Sequence, residues 1–469
     1  MYIGKSKTAI LTPFFLSISY IEYVKRFFIK LVFIISMPFW DKDAETLPRD
    51  KLEALQVKRL KDTIARCRRS IFYKNRLKEI DEARFSKPED VTTLPFTTKN
   101  DLRISYDFGL VTVPKDEIIR MHSSSGTTGK ATVIFHTRKD IETWADLVAR
   151  CIVMTGAGKG DVFQNIISYG LFTGGLGLHY GAEKVGMLTI PSGVGNTKRQ
   201  IQLMKDFNTT VFHATPSYIL YVAEVMVQEG YDPKEFDLRI GFVGAEPHSE
   251  KTRQRIEDTY DIDAYNSYGM SELNGPGVAF ECEEKNGMHL WEDKYLLEIV
   301  DPQTGEELGP GEEGELVVTT LDREAMPILR YRTGDLARIV DEGERCACGR
   351  THVRISRIKG RSDDMLIVRG VNLYPSQVED ALMSFPEVAA TYQIVLERES
   401  SLDSLTVRVE LNPKMFDGDL RKLKKLEDDI TKSIQDEIVV RPKVEFHELG
   451  SLPRSEGKAV RVIDLRGEL

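Results

Sequence analysis

Ser123-Ser124-Ser125-Gly126-Thr127-Thr128-Gly129-Lys130 is the stretch from which the rest of the chain can be read. It stands between an expected strand ending over 118–121 and a second over 132–135. Five hydroxyl side chains, two glycines and a lysine within eight residues suit a chain of phosphates. Gly126 and Gly129 let backbone N–H groups turn inward, the hydroxyls donate further hydrogen bonds, and Lys130 adds a positive charge. The pattern is not the Walker loop of nucleotide triphosphatases. That loop needs glycine where Ser124 stands and Ser or Thr where Ala131 stands. Taken alone, Gly-Thr-Thr-Gly-Lys between two strands also reads as a hairpin turn, and the choice rests on what lies downstream.

At 469 residues with 41% hydrophobic side chains, the chain can form two domains with a large core. The net charge of −9 gives no general nucleic-acid surface. Five cysteines, an odd number in a long chain, point to a reducing, cytoplasmic setting rather than a disulfide framework. Residues 1–36 differ from the rest. Two uncharged runs, neither reaching the roughly 20 residues of a membrane-crossing helix, flank Glu22, Lys25, Arg26 and Lys30. Three readings stand: a membrane-surface anchor, a signal-peptide resemblance without a cleavage pattern, or an upstream extension with Met37 as the working start. The third is preferred, because a globular pattern begins at Met37.

From Pro48 a helix is expected, with Val57, Leu60, Ile64 and Cys67 on one face, which makes Cys67 a core residue. Strands over 161–167, 186–190, 209–213, 239–243 and 262–265 then alternate with helices over 139–154, 198–207, 217–229 and 249–260. This is the pattern of an α/β fold with a doubly wound sheet. A glycine-rich segment, 169–181, follows one strand where ligands enter such sheets. His179 within it reads more readily as a hydrogen-bonded structural group than as a catalyst. Beyond 290 the chain turns to β, with strands over 294–300 and 314–320. A basic segment around Arg361, Asp363 and Asp364 marks a boundary, giving domains over 37–360 and 361–469. The second is small and α+β, with a charged helix over 419–437 whose charges face solvent.

Four more signals follow the loop in order: Gly244-Ala245-Glu246-Pro247, Tyr268-Gly-Met-Ser-Glu272, Tyr331-Arg-Thr-Gly-Asp335 and Leu452-Pro-Arg-Ser-Glu-Gly457-Lys458. Each is weak alone; five in one order over more than 300 residues resemble the adenylate-forming enzymes, the superfamily of acyl-CoA synthetases, luciferases and peptide-synthetase adenylation domains. Within it the chain is most similar to phenylacetate–CoA ligases. The resemblance implies an ATP-dependent ligase that joins a small carboxylic acid to coenzyme A through an acyl-AMP. A large N-terminal domain with a β-rich subdomain would carry a small mobile C-terminal domain. The 123–130 loop would hold the β- and γ-phosphates, Glu272 a Mg²⁺ ion, and Asp335 both ribose hydroxyls. Gly244 to Pro247, with Tyr268, would frame the adenine, and Arg361 would contact nucleotide. Lys458 would bridge the α-phosphate and the substrate carboxylate. Such chemistry needs these residues because the carboxylate and the triphosphate repel each other, so positioning and neutralisation decide the rate.

Asp363 matches the hinge about which the small domain turns between half-reactions, though it also reads as one of two helix-capping acids. Around the acyl pocket the branch has Asn-Ala-Tyr-Gly-Tyr-Gly-Leu-Phe, where this chain has Asn165-Ile-Ile167-Ser-Tyr169-Gly-Leu-Phe172. Ile167, Tyr169 and Phe172 would line a hydrophobic pocket for an aryl or arylacetic acid, and the Ile167-Ser168 exchange leaves phenylacetate itself open. Alternatives are an adenylate-former with another acceptor, such as one adenylylating a deazaflavin cofactor or activating an amino acid, and a non-catalytic nucleotide-binding protein. Homodimer formation stays open, and no membrane partner is expected. Cys282, His289, Cys346 and Cys348 together form a closed structural zinc set. Two unrelated metal-free pairs are the other reading. Strands over 294–320 folding between the pairs would bring them together.

Overall fold

The computed structural model describes residues 39–123, 131–340, 346–399, 402–412, 419–454 and 460–466. The chain divides into Met1–Pro38 and Phe39–Leu469, and the expectations for 1–36 lie outside the described residues. Ser124, Ser125, Gly126, Thr127, Thr128, Gly129, Lys130 and Lys458 lie outside them too.

An eight-stranded sheet organises the larger part. Its parallel half runs Asp263–Met270, Ile240–Gly244, Val211–Ala214, Val162–Asn165, Leu188–Ile190. Its other half, Gly275–Glu281, Met288–Leu290 and Arg354–Ile355, is antiparallel. The parallel strands are short apolar runs because helices cover both faces. Phe163, Val211, Phe212, Phe242 and Val243 are all fully buried. The helices between them begin at good caps. Thr137 and Asp140 form a capping box at Arg138–Val153, and Thr215 caps Pro216–Gln228 with proline in its first turn. Helix Arg138–Val153 buries Trp144, Leu147, Val148 and Ile152, each side chain contributing about 1.5–3 kcal/mol.

The chain order within the parallel half places a switch point between Val162–Asn165 and Val211–Ala214, where successive connections leave in opposite directions. Ligands enter such sheets beyond the strand ends at this point. There Asn165, the last residue of its strand, and His213, the last but one of its own, are hydrogen-bonded (Asn165 Oδ1 to His213 Nδ1, 3.1 Å).

A second sheet comprises Tyr295–Val300, Gly314–Thr320, Tyr331–Ala337 and Gly360–Arg361. Helix Arg49–Cys67 packs Leu60, Ile64 and Cys67 into the core that this sheet shares with Phe135, Leu296, Leu321 and Tyr331. Cys67 is fully buried, and burial pushes its thiol up. The C-terminal sheet has the order Lys443–His447, Leu402–Leu411, Val388–Glu399, Val462–Asp464. Helix Leu420–Ile438 lays Ile430, Ile434 and Ile438, one turn apart, on the core of Val378, Leu382, Ile394 and Val407. No helix among the described residues is long and apolar enough to cross a membrane.

Candidate active site

The 123–130 loop is anchored at both ends. Strand Arg120–Ser123, which leads into it, pairs antiparallel with Val133–His136, which follows it. Ser123 donates its N–H to Leu171 O at 2.9 Å, and His122 Nδ1 lies 3.0 Å from the same carbonyl. The stem is thereby fixed to the segment that carries Phe172. Two residues past the loop's far side, buried Thr132 donates to Glu272 Oε1 at 3.4 Å.

Glu272 sits in the short helix Ser271–Leu273 between two strands of the main sheet and is 4% exposed. Arg323 holds its backbone carbonyl at 2.7 Å, which sets the turn. The Tyr331 phenol lies beside the Glu272 carboxylate. Burial first, then that negative charge, raises its pKa well above the ordinary phenol value. Next to Glu272, Ser271 Oγ meets Thr173 Oγ1 at 3.0 Å. This contact joins the Glu272 turn to the first residue of helix Thr173–Val185, directly after Phe172.

The expected acyl residues gather around that helix start. Ile167 is 3% exposed, and Phe172 is half-buried. Glycine is required at 174, since a Cβ there would lie 2.4 Å from Phe172 Cε1 and 2.9 Å from Ile167 Cγ2. Tyr169 OH accepts from Asn165 Nδ2 at 2.9 Å and lies 3.4 Å from His179 Nδ1; burial pushes its pKa up to about 12. His179 Nε2 faces Glu183 Oε1 at 3.1 Å, so His179 is a hydrogen-bonded group on the helix surface. His213, at the switch point, is 2% exposed and held neutral by burial, its pKa lowered to about 3.

Asp335 is 7% exposed on strand Tyr331–Ala337. Its Oδ2 accepts from Tyr268 OH at 2.7 Å and its Oδ1 from Arg361 Nη1 at 3.0 Å. Burial and then the Asp335 carboxylate drive the Tyr268 pKa well up. Arg361 also grips Asp363, Nε to Oδ1 at 2.8 Å. Burial works against the Arg361 charge, but Asp335 and Asp363 outweigh it and raise its pKa. At the end of strand Ile240–Gly244, Gly244 abuts Ser267, Ala245 takes a left-handed φ of +66°, and Pro247 is exposed. Glu246 accepts the N–H of Ser217 at 2.7 Å, so its carboxylate fastens the turn to helix Pro216–Gln228.

The C-terminal part docks on this side of the main sheet. Glu379 accepts from Thr252 Oγ1 at 2.6 Å and from Ser249 N at 3.3 Å. Arg454, four residues before Lys458, reaches Glu410 Oε2 at 2.8 Å and Glu224 Oε2 at 3.4 Å, over the ring of Tyr221 at 4.3 Å. Thr132, Arg323 and Glu224 are site neighbours that sequence reasoning does not reach, whereas Arg454 belongs to the 452–458 motif. Of those three, only Thr132, a hydroxyl two residues beyond the loop, leaves a mark in the sequence.

Cys282, His289, Cys346 and Cys348 bring their ligand atoms within 4.8 Å of one another, all buried. Cys282 Sγ lies 3.6 Å from Cys346 Sγ, and Cys348 Sγ 3.3 Å from His289 Nε2. Contrary to expectation, strands over 294–320 do not bring the pairs together; they belong to the second sheet. The two-residue strand Arg354–Ile355 does so by pairing with Met288–Leu290, Arg354 opposite His289. Cys151 stands apart, buried, with Trp291 Nε1 at 3.4 Å from its sulfur and its pKa pushed up to about 12 by burial.

A family model described as "AMP-binding enzyme" matches residues 29–321, and one described as "AMP-binding enzyme C-terminal domain" matches 370–466. The chain is 46% identical to the phenylacetate-coenzyme A ligase of Thermus thermophilus over 91% of this chain and 99% of that one. A crystal structure of 2-hydroxyisobutyryl-CoA ligase, in the postadenylation state with R3-HIB-AMP, superposes with a TM-score of 0.85 at 30% identity, covering 91% of this chain and 92% of that one. The same ligase with 2-HIB-AMP and CoA in the thioesterification state gives 0.67 at 30% identity, covering 92% and 93%. The chain therefore belongs to the AMP-binding enzymes, in the branch of the phenylacetate–CoA ligases.

Proposed function

We propose that this protein is an ATP-dependent acid–thiol ligase that activates an aryl or arylacetic acid as its acyl-AMP and transfers the acyl group to coenzyme A. The observation that carries the reading is the convergence of independent motifs. Thr132 ties the end of the 123–130 loop to Glu272, Thr173 ties Glu272's neighbour to the Phe172 segment, and Tyr268 and Arg361 hold Asp335.

In this reading the 123–130 loop holds the β- and γ-phosphates and Asp335 accepts the ribose hydroxyls. The turn at Gly244 to Pro247 frames the adenine. Ile167, Tyr169 and Phe172 form the wall for the aromatic acid, an apolar surface with one hydroxyl. Glu272, with the Thr132 hydroxyl beside it, offers hard oxygen donors suited to Mg²⁺, which offsets the charge of the triphosphate. Lys458 steadies the negative charge that gathers as the carboxylate approaches the α-phosphorus. The small domain then turns about Asp363, withdrawing Lys458 and admitting the thiol. The chain's greater likeness to the relative trapped after adenylation than to its thioester-forming state supports the first of these two poses for the arrangement of its domains.

Cys282, Cys346, Cys348 and His289 are the residues that would hold a structural zinc ion. Three sulfurs and one nitrogen are its usual closed set, and His289 Nδ1, 3.1 Å from His352 O, is taken by that carbonyl, which leaves Nε2 for the metal. The buried free cysteines also support a reducing, cytoplasmic setting.

ATP–pyrophosphate exchange across a panel of carboxylic acids tests the reading, followed by AMP release with and without coenzyme A. Exchange with aryl or arylacetic acids and coenzyme A-dependent AMP release are expected. Exchange without any coenzyme A dependence would move the protein to another acceptor, and no exchange with any acid would leave a nucleotide-binding protein.

A further inference from the structure

The geometry points to Tyr268 as a positioning residue whose hydroxyl, not its ring alone, aims Asp335 at the ribose and keeps it aimed in both half-reactions. The inference rests on the reading of Asp335 as the ribose ligand. An ionised carboxylate accepts about four hydrogen bonds, roughly two on each oxygen, all close to its own plane. Tyr268 OH engages Oδ2 at 2.7 Å and Arg361 Nη1 engages Oδ1 at 3.0 Å. One donor on each oxygen fixes that plane, and with it the directions in which ribose hydroxyls can be accepted. With the Tyr268 donor gone, Oδ2 loses the hold that the main sheet provides, and the carboxylate loses its aim.

The two donors differ in what carries them. Tyr268 is 7% exposed on a strand of the main sheet, and the next residue, Gly269, lies so close to Gly275 that a Cβ would come within 1.9 Å of its carbonyl oxygen. That strand cannot shift without displacing its neighbour. Arg361 is 27% exposed at its side chain, two residues from the hinge, and its other nitrogens hold Asp363 at 2.8 and 3.3 Å. Turning at Asp363 must disturb the Arg361 arm while leaving the Tyr268 arm in place. Tyr268 therefore supplies the constant hold and Arg361 the one tied to domain pose.

The test compares ATP with 2′-deoxy-ATP and 3′-deoxy-ATP in pyrophosphate exchange, and acyl-AMP with its deoxy counterparts in thioester formation, on full-length protein. In the wild type, loss of a ribose hydroxyl facing a charged acceptor should raise KM about 10–100-fold. Tyr268→Phe should shrink that ratio to roughly 2–5-fold in both half-reactions. Arg361→Gln should shrink it in one half-reaction only. If Tyr268→Phe does not accumulate as folded enzyme, Tyr268→Met, also without a donor, takes its place under the same criteria. Undiminished discrimination in Asp335→Ala would mean that the ribose reading itself is wrong. Discrimination lost in Asp335→Ala but intact in Tyr268→Phe overturns only the role given to Tyr268. A loss confined to one half-reaction in Tyr268→Phe overturns the constant hold.

Discussion

Asp335 and Cys348 both lie in buried polar clusters, and the two clusters are built on opposite principles. The charge at Asp335 is matched by the chain itself, with Tyr268 on one oxygen and Arg361 on the other. Such a group keeps its geometry with or without a ligand. At the Cys282–His289–Cys346–Cys348 cluster the four donors instead share protons among themselves. Cys282 and Cys346 donate to Cys348 and hold it far below the usual thiol range. Burial opposes a charged His289, but the neighbouring sulfurs win and lift its pKa to about 9. A divalent cation can replace those protons and satisfy all four donors at once. The first cluster is thus matched by the chain's own side chains, and the second offers four donors that a divalent cation could satisfy together. Damage to the first should appear in rates and nucleotide binding, damage to the second in stability.

Lys458→Ala is the change expected to have the largest effect. Losing a positioned donor to developing charge costs about 10²–10³ in rate, and loss of a full charge about 10³ or more. Adenylation should fall by that much, while thioester formation from supplied acyl-AMP and coenzyme A continues. Asp363→Pro, which fixes φ at the proposed hinge, should reverse the pattern. Equal damage to both steps in both variants would break the alternating reading. Glu272→Gln follows, with adenylation reduced about 10²-fold and the melting temperature unchanged.

Cys348→Ser, or removal of metal with a chelator, comes next and should strike the other property. Breaking a buried, mutually dependent set costs about 3 kcal/mol, or roughly 6–12 °C in the melting temperature of a large domain. The KM for ATP should stay within about twofold of wild type, since distant sites with no shared partners act independently. Metal analysis finding no zinc in protein expressed with zinc present would remove this side of the comparison.

Much of this is legible without coordinates, because the chemistry-bearing residues lie in short motifs at strand ends. The strand over 314–320 is found where expected as Gly314–Thr320, and the parallel strands fall within a few residues of their expected bounds. What is not legible depends on long-range contact. Helix Thr173–Val185 contains Gly174, Gly175, Gly177 and Gly181, which weaken any helical signal. Close neighbours such as Phe172 and Ile167 require that lack of side chain, and the surrounding packing supplies the helix. Strand Val388–Glu399 escapes a sequence reading because it starts in small residues and ends in charged ones, and its pairing with Leu402–Leu411 defines it. Arg323 reaches Glu272 across 51 residues, a contact no local pattern announces.

The smallest effect tests whether the region around Asn165 and His213, behind the proposed acyl wall, excludes charge, as the contrast with the Cys/His cluster requires. His213 is neutral when folded because burial lowers its pKa to about 3, whereas the unfolded side chain titrates near 6.5. Between those values the unfolded chain binds a proton that the folded chain does not. Stability therefore rises with pH across this window, and it is lost as pH falls below about 6.5, by roughly 1.4 kcal/mol per pH unit from this one residue. His213→Gln keeps a donor for Asn165 Oδ1 but does not titrate. At pH 7.5 the variant should be less stable by about 1 kcal/mol, the worth of an imperfectly replaced hydrogen bond. By pH 5 the wild type should have lost about 2 kcal/mol that the variant does not lose, so their urea midpoints should cross. Midpoints that move in parallel from pH 7.5 to 5 would mean that His213 takes up its proton in the folded protein, and the region beside Asn165 would then tolerate charge after all.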